Sequence, residues 1–400
     1  MFKTPAVIFS SILFSIASLM LTATEPRIEK LVPPSITRNT ISQELVCTRP
    51  MREGFFNISL EQFSGKTTPK IIMNCYGHGG SGWTTLFGSV KKAIDLYVKT
   101  QPDKNTPIRV IGSGCMGFTT AIELTRLGYN VVGITTKNLY DIPSWRAAGY
   151  FALVSVKTSP ENEASLNEIG AMTFQTYQQI DRGNHPYITK DAVRYMPVYC
   201  SKDTHNGLED MEAQGVIPPH EGVTLDFGNG VLHPNYNKYL TYFMNTTTLM
   251  KQLTAEVQRL GIPMEFREIQ SFDDVQESVV FNCSGFGGQA LNQDDAMIPV
   301  RGHLVTLNAS SGSEHMDYMI YTTVMQDGGT EYIYLFPKDV SVTPNNIQGI
   351  PCRGVIGGTF IPNVDKLSPE EQENLDAKEF QRMLDRASIF FSGRPFAQNA

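Results

Sequence analysis

Two glycine-dense turns and a pair of arginines carry most of the chemistry this 400-residue chain can offer. Residues 77–84, "GHGGSGWT", follow an apolar strand-like run and precede a helix-compatible one. The spacing copies a G-x-x-x-x-G-K-[ST] phosphate loop, except that Trp83 stands where the lysine should be. Without that cation a nucleoside triphosphate loses its main side-chain ligand. No G-x-S-x-G nucleophile elbow and no H-E-x-x-H pair occurs, so neither a serine hydrolase nor a zinc enzyme has support, and no metal is expected. What remains is a helix N-terminus whose N–H groups, around Gly79, Gly80, Ser81, Gly82, Trp83 and Thr84, face something anionic.

The second turn lies in "TPIRVIGSGCMGFTTAIELTRLGYNVVGITT", which reads strand, turn, helix, strand. Gly112, Gly114 and Gly117 form a G-x-G-x-x-G in that context, and Ser113, Cys115 and Met116 complete a turn that brings backbone N–H groups onto a pyrophosphate. The acid that normally holds the ribose hydroxyls is missing. Thr135 and Thr136 stand there, able to substitute more weakly through their hydroxyls. "SVVFNCSGFGGQAL" adds an apolar strand running into another glycine-rich turn at Cys283, Ser284 and Gly285, a second backbone approach to a dinucleotide.

Together these segments resemble the D-amino-acid oxidase family of FAD-dependent oxidoreductases. In that family a strand-turn-helix binds the ADP half, an N-C-[ST]-G strand lines it, and a Y-G-H-G-G-x-G loop opens a helix at the flavin ring. "RAAGYF" is similar to the family's small-residue segment along the cofactor and implies that Arg146, Ala147, Ala148 and Gly149 contact FAD. "IPVRGHLVTL" resembles its P-x-R-G-Q-x strand, with His303 in place of Gln, and "YLFPKDV" and "GVIGGTF" its following pair of strands. "CTRPMREG" resembles the R-P-x-R segment that carries the substrate-carboxylate arginine; on that match the clamp is Arg52 and Arg49 its structural companion.

The order of these motifs is reversed from the family's. R-P-x-R and Y-G-H-G-G come last there and first here, which implies a circular permutation with its seam in "VKTQPDKNTP", residues 98–107. The expected fold is α/β: a Rossmann-like FAD-binding domain interleaved with a mixed β-sheet substrate domain, circularly permuted.

The resemblance implies oxidative deamination of a D-amino acid or related small amine, by hydride transfer from the α carbon to flavin N5, with reoxidation by O2 to H2O2 or by another electron acceptor. No protein base is needed; the protein orients and polarises. A planar guanidinium at Arg52 matches a carboxylate bidentately. The Gly80 carbonyl would accept from the amine, and the helix N-terminus beyond it would favour the charge gained on reduction. A tyrosine usually assists, and Tyr236 or Tyr239 lies in the right region, each, taken singly, more readily a packing aromatic. His78 would brace its loop. Two other readings stand beside this one: a flavin-binding envelope protein with a degenerate site, and a nicotinamide-linked dehydrogenase, against which the flavin-side loop speaks.

The elements that must position these residues divide as a signal peptide (1–23), a substrate-domain strand segment (24–66), the flavin-side loop and helix (67–97), the linker (98–107), the dinucleotide unit (108–155), mainly substrate domain (156–265), FAD domain (266–302), and substrate domain with a C-terminal helix (303–400). That last helix opens on a capping box, Ser368 with Glu371, and Pro369 at its first position. At 41% hydrophobic and 18% charged, with net charge −7 and no dense basic run, the chain has the means for a large core and none for a nucleic-acid surface. The start, "MFKTPAVIFSSILFSIASLMLTATEP", predicts a secretory signal cleaved near Ala23; an uncleaved anchor is the competing reading, its apolar stretch being slightly short of the ~20 residues that span a bilayer. Export to the envelope or beyond permits disulfides, but the six widely spaced cysteines form no framework.

Overall fold

The computed structural model describes residues 27–66, 68–309 and 316–396, so the N-terminal signal lies outside the described residues. In chain order the strands are β1 (Arg27–Lys30), β2 (Ile41–Arg52), β3 (Asn57–Ser64), β4 (Pro69–Tyr76), β5 (Ile108–Ile111), β6 (Val131–Thr136), β7 (Val193–Ser201), β8 (Glu221–Asp226) and β9 (Leu232–Met244). Then come β10 (Met264–Phe266), β11 (Val279–Asn282), β12 (Met297–Asn308), β13 (Met319–Gln326), β14 (Gly329–Pro337), β15 (Val340–Thr343), β16 (Asn346–Gly357) and β17 (Ile361–Pro362). The helices are α1 (Gly82–Val98), α2 (Cys115–Arg126), α3 (Pro143–Arg146), α4 (Pro160–Asp181), α5 (Glu209–Ala213), α6 (Thr246–Arg259), α7 (Gly288–Asn292) and α8 (Pro369–Ser392).

The smaller sheet has the order β10-β6-β5-β11-β4-β3, parallel throughout except for β3, which closes the edge antiparallel to β4. Its inner strands are apolar on both faces, as a parallel sheet covered on both sides requires; β11 is buried at all four residues. α1 and α2 lie side by side over it, and α4 packs along α1 so tightly that a Cβ at Gly88 would fall 2.3 Å from the Ile169 carbonyl oxygen.

The larger sheet is mixed, with the order β1-β8-β9-β7-β13-β14-β16-β12-β17, β2 pairing β12 and β15 pairing β16. β2 and β12 run antiparallel over a long register, Met297 opposite Arg52 through Leu307 opposite Ile41. α8 covers one face, its Phe380, Met383, Leu384, Phe390 and Phe391 filling an apolar layer. Its capping box and Pro at the first turn are present as expected.

The two-domain α/β architecture is therefore as expected, with some boundaries moved. β3, placed by sequence with the substrate domain, belongs to the cofactor sheet because its register with β4 is set by a direct hairpin-like return. α4, α6 and β10, inside the segment 156–265, pack on the cofactor half, since α4 must cover α1, α6 must cover α2, and β10 extends β6. β12 leaves for the larger sheet before residue 302. All six cysteines are free thiols.

Candidate cofactor and substrate site

A cavity of about 850 Å³ runs from the carboxyl ends of the parallel strands to the larger sheet. Ligands of open parallel sheets bind in such a crevice. Its nucleotide end is built by the β5–α2 turn. Gly112 adopts φ +105° and a Cβ there would lie 2.3 Å from the Cys283 carbonyl oxygen, while a Cβ at Gly117 would lie 2.0 Å from the Gly112 oxygen. Only glycine lets strand, turn and helix close this far. Gly112, Ser113, Gly114, Cys115 and Met116 line the cavity, as do Cys283, Ser284 and Gly285; Gly117 instead provides the close packing beneath. α2 starts on Gly114 with no side-chain cap and no acid in its first turn, so its leading N–H groups await an acceptor, apart from Cys115, which donates to Ser144 Oγ at 3.1 Å.

The other end is built by the β4–α1 loop. Gly79 donates to the Pro50 carbonyl and Gly80 to the Ser155 carbonyl, each at 2.8 Å, wedging the loop between β2 and residues 154–155. α1 also lacks a side-chain cap and a first-turn acid, and Gly82, Trp83 and Thr84 of its first turn line the cavity. Two uncapped helix N-termini thus converge on one cavity, where they favour negative charge. Ser81 does not line it; its hydroxyl turns to the Val154 carbonyl. His78 braces the loop, with Nε2 3.1 Å from Ser89 Oγ and its ring stacked 4.4 Å from Phe56. Burial pulls its pKa down to about 3, so it is neutral and held for packing.

Thr135 and Thr136 line the cavity, but both hydroxyls have protein partners: Glu265 Oε2 for Thr135, Ser113 Oγ and the Asn138 carbonyl for Thr136. The acid at this end is Glu268, beyond β10, paired with Lys137 at 2.9 Å. Sequence spacing missed it because the residue comes from a neighbouring strand.

The arginines fall differently from the motif match. Arg52 does not line the cavity: its Nε bonds Asp294 at 2.8 Å and a second nitrogen the Phe55 carbonyl at 2.8 Å. Asp294 also accepts from Tyr76 at 2.7 Å. Burial alone would raise the Asp294 carboxyl, but Arg52 and Tyr76 outweigh it and hold it low. Arg52 is a brace. Arg49, two strand positions from the cavity-lining Cys47 on the same face of β2, is the one that enters. Its Nη1 donates to the Thr359 carbonyl at 3.1 Å, and a Cβ at Gly302 would lie 2.4 Å from that nitrogen, so the glycine of "RGH" makes room for the guanidinium.

Tyr236 and Tyr239 also lie outside the cavity. The Tyr236 hydroxyl bonds Thr322 at 2.9 Å in the layer under α8, and Tyr239 packs on His220. The cavity's tyrosines are Tyr76, Tyr150, Tyr321 and Tyr334, of which Tyr76 is tied to Asp294. Tyr150 stacks on Phe336 at 5.0 Å and Tyr334 on the same ring at 4.7 Å. Arg146 is structural too, bonded to the Val46 carbonyl and Asp141, while Ala147, Ala148 and Gly149 do line the cavity. The remaining lining cations are neutralised: Lys137 by Glu268, Arg267 by Glu265, and Arg301 by Asp376, 2.7 Å from its Nε. Asp376 is in turn 2.8 Å from His303 Nε2.

The family model "FAD dependent oxidoreductase" (DAO) matches residues 108–398, more than half of the chain. The chain belongs to this family of FAD-dependent oxidoreductases, and FAD is its cofactor. It is 21% identical over 257 residues to D-aspartate oxidase 1 of Caenorhabditis elegans, covering 60% of this chain and 69% of that one. Similar solved structures include a fructosamine oxidase (Amadoriase II) from Aspergillus fumigatus (15% identity, TM-score 0.41, 64% of each chain) and an FAD complex of a glycerol-3-phosphate dehydrogenase from Bacillus halodurans (14%, TM-score 0.38, 74% of this chain and 56% of that). An L-amino acid deaminase from Proteus myxofaciens gives 8% identity and a TM-score of 0.40 over 80% of this chain and 64% of its own. The chain spans less than two thirds of each of these three structures. The cradle fits the cofactor: two uncapped helix N-termini for the anionic parts, and a turn that any Cβ at Gly112 or Gly117 would block.

Proposed function

We propose that the protein oxidises an amino acid, in the D configuration by analogy with its D-aspartate oxidase relative, and passes the electrons to O2. The observation that carries this is Arg49: it is the one cation lining the cavity that no carboxylate neutralises among the described residues. A half-buried guanidinium without an anion is a site for one. FAD held in this cradle would supply the acceptor for the hydride of the α carbon. The chain's own part is to bind and orient. Arg49 takes the carboxylate, the Tyr334 hydroxyl beside it adds a donor, and the Gly80 carbonyl takes the amine. The amine gives its proton to water, and the imino acid hydrolyses in solution to a keto acid and ammonia. No side chain at this end acts as a base; His78 lines the cavity but is kept neutral by burial and held against Ser89.

Tyr150, Tyr321, Tyr334 and Phe336 supply an aromatic wall beside Arg49 and no second free cation. This favours a neutral, bulky or aromatic side chain over an acidic one. Anaerobic addition of D-phenylalanine, D-aspartate, D-alanine and their L forms tests the reading by loss of flavin absorbance near ~450 nm. Bleaching by no amino acid would leave a flavin-binding protein without this activity.

The reversed motif order is read as a circular permutation. The family match starts at Ile108, yet the preceding residues supply β4, beside β11 in the same sheet, and the α1 end of the cavity. The two ends of the described chain approach one turn: Leu31 N–H bonds the Asp226 carbonyl at 2.9 Å, and the Asn229 side chain bonds the Phe391 carbonyl at 3.1 Å. Residues 98–107 would then be the join. The N-terminal apolar segment is read as an export signal, placing the enzyme in the envelope or outside; N-terminal sequencing of the mature protein checks it.

A further inference from the structure

Lys338 follows β14 and is only 3% exposed, yet no carboxylate pairs with it among the described residues. Its Nζ donates to the Ala147 carbonyl at 3.1 Å and lies 3.5 Å from both the Trp145 carbonyl and Thr246 Oγ1. The adjacent acid, Asp339, is turned elsewhere, accepting from Asn245 at 2.7 Å and facing Arg194 at 3.7 Å. Burial pulls the ammonium down to about 8, with neighbouring Asp339 and the Cys352 and Cys47 thiols acting in the opposite sense. A lysine whose charge is held only by neutral dipoles is expensive to bury, and replacement by an apolar chain of like volume would cost less.

The carbonyls it holds belong to the stretch whose Ala147, Ala148 and Gly149 form one wall of the cofactor cavity. That wall has no other freedom: Thr246 Oγ1 also donates to the Ala147 carbonyl at 2.8 Å, and Gly149, at φ +91°, would place a Cβ 1.9 Å from the Met244 oxygen. Thr246 is the first residue of α6, whose N-terminus therefore points at the same carbonyl. A full positive charge and the Asn245-capped N-terminus of α6 stand together behind a wall of small residues. Cys47, on the cavity face of β2, is close enough to Lys338 to feel the charge.

We propose that Lys338 is a positioning residue for FAD: it fixes the Ala147–Gly149 wall against the cofactor and sets there a desolvated positive charge that favours the negative charge FAD gains on reduction. A simple packing lysine would hold the wall without affecting the cofactor's electronics. A charge buried directly behind that wall, in a medium of low polarisability, acts on both.

The test uses the FAD-loaded protein and no substrate. Lys338→Met keeps the length and removes the charge; Lys338→Arg keeps the charge. Titration against a reference dye is expected to shift the reduction equilibrium of the Met variant about tenfold toward oxidised cofactor, ~30 mV for a two-electron couple, and that of the Arg variant less than about threefold. FAD affinity, read by recovery of free-flavin fluorescence, should fall in the Met variant and be largely restored in the Arg variant. A Met variant that holds FAD and titrates where the unsubstituted protein does overturns the proposal. Where the Met variant holds no FAD, the Arg variant decides: retention supports a requirement for charge, and loss in both reduces Lys338 to a filler of shape and overturns it. Because none of these readings uses turnover, they stand apart from whether the amino-acid substrate is correctly assigned.

Discussion

Replacing Arg49 by alanine separates the structural reading of the site from the motif reading. Arg49 enters the cavity and Arg52 does not, so the two substitutions should fail in different ways. A guanidinium that grips a carboxylate through two charge-assisted hydrogen bonds contributes ~1.5–3 kcal/mol for each. The site opens to solvent around its ligand, which discounts the sum, and ~3–4 kcal/mol is a reasonable loss. At 1.36 kcal/mol per decade this is about a 10²–10³-fold fall in kcat/KM. Most of it should appear as raised KM for amino acids, with FAD still bound, since Arg49's protein partners are the Thr359 carbonyl and the Tyr334 hydroxyl. Arg52→Ala strips a partner from Asp294, which is 9% exposed in its side chain, and from a network that includes Tyr76. Its effect should be a lost ~1–3 kcal/mol of stability with kcat/KM changed only a few-fold. Steady-state kinetics and denaturant unfolding of both variants make the comparison. A kcat/KM for Arg49→Ala within about fivefold of the parent, or a larger kinetic loss from Arg52→Ala at matched flavin content, would refute the assignment.

Other substitutions probe the rest of the site. Gly117→Ala, whose methyl would lie 2.0 Å from the Gly112 oxygen, should purify without FAD or with affinity lowered at least about a hundredfold, read by flavin content. Tyr334→Phe should raise KM several-fold, whereas Tyr236→Phe and Tyr239→Phe should leave kinetics within about threefold. His78, depressed to about 3 when folded against 6.5 when unfolded, binds fewer protons in the folded state between those values, so its share of stability is complete above pH 6.5 and lost as pH falls toward 3. At pH 5 that is ~2 kcal/mol; His78→Gln should flatten the decline of Tm between pH 7 and 5, and an unchanged slope counts against it. A chain rearranged to begin at Pro107, with residues 27–106 joined after Phe396, should fold and take up FAD if the permutation reading is right; colourless, aggregated product would speak against it.

Local chemistry made part of this protein legible without any structure. The G-x-G-x-x-G turn, the N-C-S-G strand end and the capping box of α8 are sequence-local devices, in which a few residues in fixed order satisfy their own backbone, and each stands where it was expected. The apolar periodicity of α6 and the apolar run of β11 placed those elements for the same reason. What local sequence left open was which way several of the side chains point across strands. Arg49 and Arg52 are three apart on one strand and therefore on opposite faces; nothing in "RPMR" says which face meets the cavity until β2 is paired with β12 and Gly302 is seen to leave the space. Tyr236 and Tyr239 have the right composition, but β9 pairs between β8 and β7 and meets the cavity only at its last residue, Met244; the cavity's tyrosines come from β4, β13, β14 and the "AAGY" segment. Glu268 and Lys338 reach the cofactor region from strands far along the chain. Sequence alone thus determined the cofactor-cradling turns, which are set by short-range backbone geometry. Only the tertiary structure decided the substrate end, because strand register and facing are fixed by long-range pairing and by what the core can bury.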